Sequence, residues 1–119
     1  MRYLCLVYID EKKLNALSKV EMESLIADAL AYDDVLRKSG HYIVSDALQS
    51  VETATTLRTR DGKLAITDGP FAETKEQLGG FILIEARDLN EAMRVAAKIP
   101  PGRIGSIEVR PVMELAPPR

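Results

Sequence analysis

Two stretches of this chain repeat one layout, and that repetition restricts the fold more than any other feature. In each, an apolar strand-like run leads through a capping box and a helix to a second strand-like run. The first run is Arg2 to Ile9, where Tyr3, Cys5, Val7 and Ile9 alternate with Leu4, Leu6 and Tyr8. Both alternating sets are largely apolar, the pattern of a strand covered on both faces. Ser18-Lys19-Val20-Glu21 then forms a capping box. The hydroxyl can take the free amide three residues on, and the glutamate can reach back. Behind it Met22, Leu25, Ile26, Ala29, Leu30, Val35 and Leu36 make an approximate apolar stripe. Gly40 supplies the helix stop, with Arg37 and Lys38 near the negative end. His41 to Leu48 reads as the second strand.

The later stretch begins at Gly79 to Ala86, again apolar on both sides. Asp88-Leu89-Asn90-Glu91 is the second capping box. It opens a helix carrying Leu89, Ala92, Met93, Ala96 and Ala97 that stops at Pro100-Pro101-Gly102. Gly105 to Met113 is the last strand. Between the two stretches, Thr53 to Arg60 and Lys63 to Thr67 flank Asp61-Gly62, a strong hairpin signal. Right-handed crossovers place both helices on one face of the sheet. The expected fold is therefore α+β and ferredoxin-like: β-α-β, hairpin, β-α-β. Two helices can cover only one face, yet the central strands are apolar on the other too. A second subunit is the simplest cover, so a homodimer with facing sheets is expected.

Size and charge narrow the function classes. A chain of 119 residues fits one domain, expected over residues 1–114 with a loose tail at 115–119. Its 16 basic and 18 acidic residues give a net charge of −2, without the electrostatic footprint of nucleic-acid binding. No apolar run approaches the roughly eighteen residues of a membrane span. The opening run soon reaches Asp10-Glu11-Lys12-Lys13 with no small-residue cleavage site, so it reads as a strand and not a signal peptide. The single Cys5 fits a buried small hydrophobe in a reducing compartment, hence a cytoplasmic protein. One histidine and one distant cysteine make no recognisable metal site, and no cofactor is expected.

Chemistry can sit in two places. The loop from Thr67 to Gln77 packs Asp68, Glu73, Lys75 and Glu76 around Gly69-Pro70-Phe71. Gly69-Pro70 enforces an abrupt turn, and Phe71 is expected to anchor the loop to the core. Positioned carboxylates beside a lysine can transfer protons or bind a polar ligand. The alternative is a surface loop with solvated charges. In the last strand, Ser106, Glu108 and Arg110 share one face and alternate with Ile107, Val109 and Pro111. If the apolar set packs under the helices, Glu108 and Arg110 point to the dimer face. There the guanidinium could clamp an anionic or enolate-like ligand, with Glu108 as orienter or base. The alternative is a solvated edge-strand ion pair. His41, the only histidine, could act as a general base, but spacing assigns it no partner.

Asp68-Gly69-Pro70-Phe71-Ala72-Glu73-Thr74-Lys75-Glu76-Gln77-Leu78-Gly79-Gly80-Phe81 resembles the signature of the DGPF group of the YCII-related domain family. The closing Gly105-Ser106-Ile107-Glu108-Val109-Arg110-Pro111-Val112 is similar to that group's end motif. The resemblance spans essentially the whole chain. It implies a dimeric α+β barrel among small bacterial proteins suspected of enzymatic function. Some relatives are fused to, or encoded beside, extracytoplasmic-function sigma factors. The wider family carries a His in the first helix and an Asp near the last crossover, proposed as a catalytic pair. This chain has Ala29 or its neighbours at the first place and Lys98-Ile99-Pro100-Pro101-Gly102 at the second. Ile104 stands where relatives often place a His. That pair is not carried over. The expected function is small-molecule binding in a dimer cleft, with metal-independent isomerase- or lyase-type chemistry as one form of it. The competing expectations are a non-catalytic sensor partner tied to a sigma factor, and a purely structural dimer.

Overall fold

The computed structural model describes residues 1–117. Along the chain it forms β1 (Arg2–Ile9), α1 (Glu11–Asn15), α2 (Lys19–Lys38), β2 (Tyr42–Ala47), β3 (Thr55–Arg60) and β4 (Lys63–Asp68). These are followed by β5 (Gln77–Glu85), α3 (Leu89–Ala96) and β6 (Gly105–Pro111). Four strands make one antiparallel sheet in the order β2-β5-β1-β6. Each crossover skips one strand: β1 reaches β2 past β5, and β5 reaches β6 past β1. This is the ferredoxin-like α+β fold that the repeated layout predicts.

The first capping box forms in full. Ser18 Oγ accepts from the Glu21 amide at 3.1 Å, and the Ser18 amide donates to Glu21 Oε1 at 2.9 Å. Gly40, at φ +80°, lets the chain leave α2 in a left-handed turn. The second box forms only by half. Asp88 Oδ1 accepts from the Glu91 amide at 2.9 Å, but the Glu91 carboxylate turns to Arg87 and His41 instead. Asp10, the first residue of the charged run after the first strand, is a buried helix cap whose Oδ1 takes the Lys12 amide at 3.0 Å. It opens α1.

One face of the sheet makes the core. Tyr3, Cys5 and Val7 of β1 and Ile82 and Ile84 of β5 pack under Leu36 of α2 and Ala92, Val95 and Ala96 of α3. The small residues of α3 let its backbone lie close to the strands. Tyr32 of α2 donates to the carbonyl of Val95, tying the two helices together. Cys5 sits between Ile82 and Val109 with no solvent exposure, and burial pushes its thiol up to about 11. The α2 stripe is narrower than the sequence suggests. Leu36 is buried, whereas Ile26, Leu30 and Val35 stay exposed. At 3.6 residues per turn these three lie roughly 80–120° around the helix from Leu36. A single sheet below cannot cover so wide an arc.

The hairpin stands apart. Among the described residues β3 and β4 pair only with each other, through a turn in which Asp61 and Gly62 have φ of 51° and 75°. Those values suit the tight mirror-image turn of a two-residue hairpin. Register places Leu57, Leu64 and Ile66 on one face, where they remain 60%, 59% and 64% exposed. Among the described residues no helix is long and apolar enough to cross a membrane. Residues 112–117 form no regular element, and residues 118 and 119 of the expected tail lie outside the described residues.

At Gly105, β6 runs close against β1. A Cβ built there would lie 1.8 Å from the carbonyl oxygen of Tyr8. Gly105→Ala must push β6 off β1, at a cost of about 3 kcal/mol or more. Urea unfolding of the two proteins measures this as a lowered midpoint with an unchanged slope.

Candidate functional site

The face of the sheet away from the helices is built by alternation. Because Tyr3, Cys5 and Val7 point into the core, Leu4, Leu6 and Tyr8 point the other way. Antiparallel register brings Leu83 and Arg110 to either side of Leu4, and Phe81 and Glu108 to either side of Leu6. Tyr8 faces Ser106. The apolar set of β6, Ile107 and Val109, does pack against the core, so Ser106, Glu108 and Arg110 lie on the open face as expected. Leu4, Leu6, Phe81 and Leu83 are half-buried there. Gly79 sits at the bulge between Val7 and Tyr8, and Gly80 passes against the Asp46 carbonyl, where a Cβ would approach to 2.9 Å.

One carboxylate organises the polar end of this face. Glu108 accepts from Tyr8 Oη at 3.2 Å through Oε1 and from Arg110 Nε through Oε2. The hydrogen bond from Arg110 holds the Glu108 carboxyl below the usual range, and the Tyr8 hydroxyl adds to that effect. Burial raises the Tyr8 phenol, and the neighbouring Glu108 raises it further. Glu76 joins from the loop, its Oε1 accepting from Ser106 Oγ at 2.7 Å. Tyr8, Glu108 and Arg110 thus form a linked acid, base and cation beside an apolar floor.

The loop candidates fare differently. Asp68 ends β4 opposite Thr55 on the exposed hairpin. Glu73 and Lys75 are exposed and make no ion pair among the described residues. Phe71 does not anchor the loop to the core: it is 74% exposed. Arg58 replaces it as the fastener, lying over the Phe71 ring at 5.5 Å and donating to the Phe71 carbonyl at 2.7 Å. Gln77 Nε2 holds the far side through the carbonyls of Ala72 and Thr74 at 2.9 and 3.2 Å. A hairpin that leaves the sheet carries this part of the loop away from the core. Glu76 alone returns to the sheet.

His41 lies at the opposite edge, at the start of β2. It is not without partners. Nε2 meets Glu91 Oε1 at 3.0 Å and Nδ1 meets Ser39 Oγ at 2.7 Å. These groups line a cavity of about 370 Å³. Another cleft, of about 710 Å³, runs between α3 and β6 past Met93, Lys98 and Ile107; it touches Ser106 but none of Asp68, Glu73, Lys75, Glu108, Arg110 or His41. Among the described residues no three His, Cys, Asp or Glu side chains gather as a metal ligand set. Sequence reasoning missed Tyr8, which reads there as one more apolar strand residue, and Glu91, which reads as a cap. Only strand register and a contact 50 residues long reveal them.

The family model described as a YCII-related domain matches residues 1–116. An uncharacterised protein of Rhizobium meliloti (strain 1021) is 40% identical over 114 residues, which cover 94% of this chain and 92% of that protein.

The depressed carboxyl of Glu108 has a pH signature. Its pairing contributes stability that is present above the unfolded carboxyl range and is lost as pH falls through the lower folded value. Carbon-detected NMR titration should place the Glu108 midpoint below that of an ordinary glutamate. Arg110→Gln should move it back upward, since the largest cause of the shift is removed.

Proposed function

The chain belongs to the YCII-related domain family, and we propose that it binds a small anionic molecule against the open face of its sheet, in a cleft that a second copy closes. The observation that carries this reading is the Tyr8–Glu108–Arg110 cluster beside Leu4, Leu6, Phe81 and Leu83. A solvated ion pair on an edge strand has no need of such a floor. An apolar floor excludes water on one side of a ligand and strengthens the charge interactions at its rim. Arg110 spends Nε on Glu108, and its terminal nitrogens can meet a carboxylate or enolate as a planar fork.

Shape supports a second copy. The molecule is only 18 Å through its thin dimension, which is one sheet and one layer of helices. Two such sheets stacked face to face, about 10 Å apart, would shelter both apolar faces and enclose the two clusters. Inside, Glu108 could take a proton from a carbon next to a carbonyl, with Tyr8 returning one to the oxygen. That is isomerase- or lyase-type chemistry without a metal. A protein partner is the second reading, favoured by the uncovered hairpin face of Leu57, Leu64 and Ile66. In that reading the chain is a non-catalytic regulatory or sensor partner linked to a sigma factor, and this face is what it would dock with. The buried free thiol of Cys5 suits the reducing cytoplasm for either role.

The test has two arms. Light scattering should give a dimer for the native chain and a monomer for Leu6→Glu, which puts a charge on the shared face. A thermal-shift screen of 2-oxo and enol-forming carboxylates should find a compound that raises Tm by on the order of 10 °C at a hundredfold excess over Kd. Arg110→Gln should abolish that shift. A monomeric native chain that no anionic compound stabilises sinks the reading.

A further inference from the structure

Outside the sheet face, one cluster joins a nucleophile, a base and an acid in a single hydrogen-bonded line. Ser39 ends α2, Gly40 turns the chain at φ +80°, and His41 follows, so the two side chains come back to the same side. Ser39 Oγ lies 2.7 Å from His41 Nδ1, and His41 Nε2 lies 3.0 Å from Glu91 Oε1. His41 and Glu91 are mostly shielded, with side chains 22% and 17% exposed, while Ser39 stays open to solvent. We propose that Ser39, His41 and Glu91 form a nucleophilic site that accepts a small acyl ester.

The hydrogen bonds are satisfied in both protonation states, which is what proton transfer requires. With a neutral ring, Nε2–H donates to Glu91, and the single Ser39 hydroxyl proton points to Nδ1 at 2.7 Å in competition with the Leu36 carbonyl at 3.2 Å. When the ring takes the proton, Nδ1–H donates to Ser39 Oγ, and Glu91 faces the new positive charge. Glu91 is itself held for this role. Arg87 Nε donates to its Oε2 at 2.6 Å and the Arg87 amide donates to its Oε1 at 3.4 Å. The incomplete cap at α3 has its account here: the Glu91 carboxylate is engaged by His41 and Arg87.

The chemistry balances without any further reactant than water. Ser39 Oγ bonds to the ester carbonyl carbon as its proton passes to His41 Nδ1. The carbon–oxygen bond to the leaving alkoxide then breaks, and His41 returns the proton to that oxygen. Water, deprotonated by the same imidazole, attacks the acyl group and releases a carboxylic acid and free Ser39. No backbone amide at the end of α2 is left for the oxyanion, since those of Ser39, Gly40 and His41 donate to Val35, Arg37 and Leu36. The terminal nitrogens of Arg87 and the α-ammonium of Met1, which both line the same cavity of about 370 Å³, are donors within reach. The depression is open to solvent and has room for a small acyl group such as acetyl.

The probe is p-nitrophenyl acetate, with nitrophenol release followed by absorbance and the acetyl group mapped by tandem mass spectrometry. In the native protein, trapped by acid quench, acetyl should appear on Ser39. His41→Gln should slow release by about 100-fold, the usual worth of a positioned base. Glu91→Gln should slow it less, and Ser39→Cys, which keeps a nucleophilic atom in place, should retain acylation. The decisive readout is the native protein itself. Acetyl found on lysines or the α-amine but absent from Ser39 overturns the proposal, whatever the variants do.

Discussion

The fold depends on β1 as a strand that is apolar on both faces and hydrogen-bonded along both edges. Its antiparallel pairing with β5 and β6 places Cys5 between Ile82 and Val109 on one side, and Leu6 between Phe81 and Glu108 on the other. A strand in the middle of a sheet has no freedom to choose its faces. One residue of slip would exchange Cys5 and Val7 for Leu6 and Tyr8 and empty the core of its best-packed groups. Gly105 enforces that register from the β6 side, because only a residue without Cβ can pass the Tyr8 carbonyl.

Everything on the open face follows from that alternation. The helices cover the odd-numbered positions of β1 and β6, so Tyr8, Glu108 and Arg110 share the opposite side with Leu4 and Leu6. An ion pair in open water contributes little, because solvent screens it and the side chains lose freedom. Here the same groups lie against a floor of leucine and phenylalanine, and on that the proposed recognition of an anion rests. The open face and the uncovered hairpin are different surfaces, one half-buried with an embedded polar cluster, the other a bare apolar strip.

A second assembly forms where helix ends meet. The cap of α2 presents Ser39, the turn after it presents His41, and the first turn of α3 presents Glu91. Helix ends are natural sites for such meetings, since capping side chains there are polar and already oriented by backbone groups. Glu91 illustrates the competition: a residue suited to close a capping box is drawn away by a histidine and an arginine that bind it more completely.

Local physics made much of this protein legible from its residues alone. Strand alternation, the Ser18 cap, the Gly40 stop and the Asp61-Gly62 turn are short-range effects, and each acts within a few residues. They were sufficient for the ferredoxin-like order and for placing Glu108 and Arg110 on one face. What tertiary structure decided was which distant groups meet. Tyr8 joins Glu108 only through the β1–β6 register, and His41 finds Glu91 only because α3 packs beside the end of α2. The hairpin's departure from the sheet, which left Phe71 and Lys75 in solvent, was likewise beyond local pattern. Whether a paired element joins a sheet is settled by competition among long-range contacts, and no window of neighbouring residues contains that information.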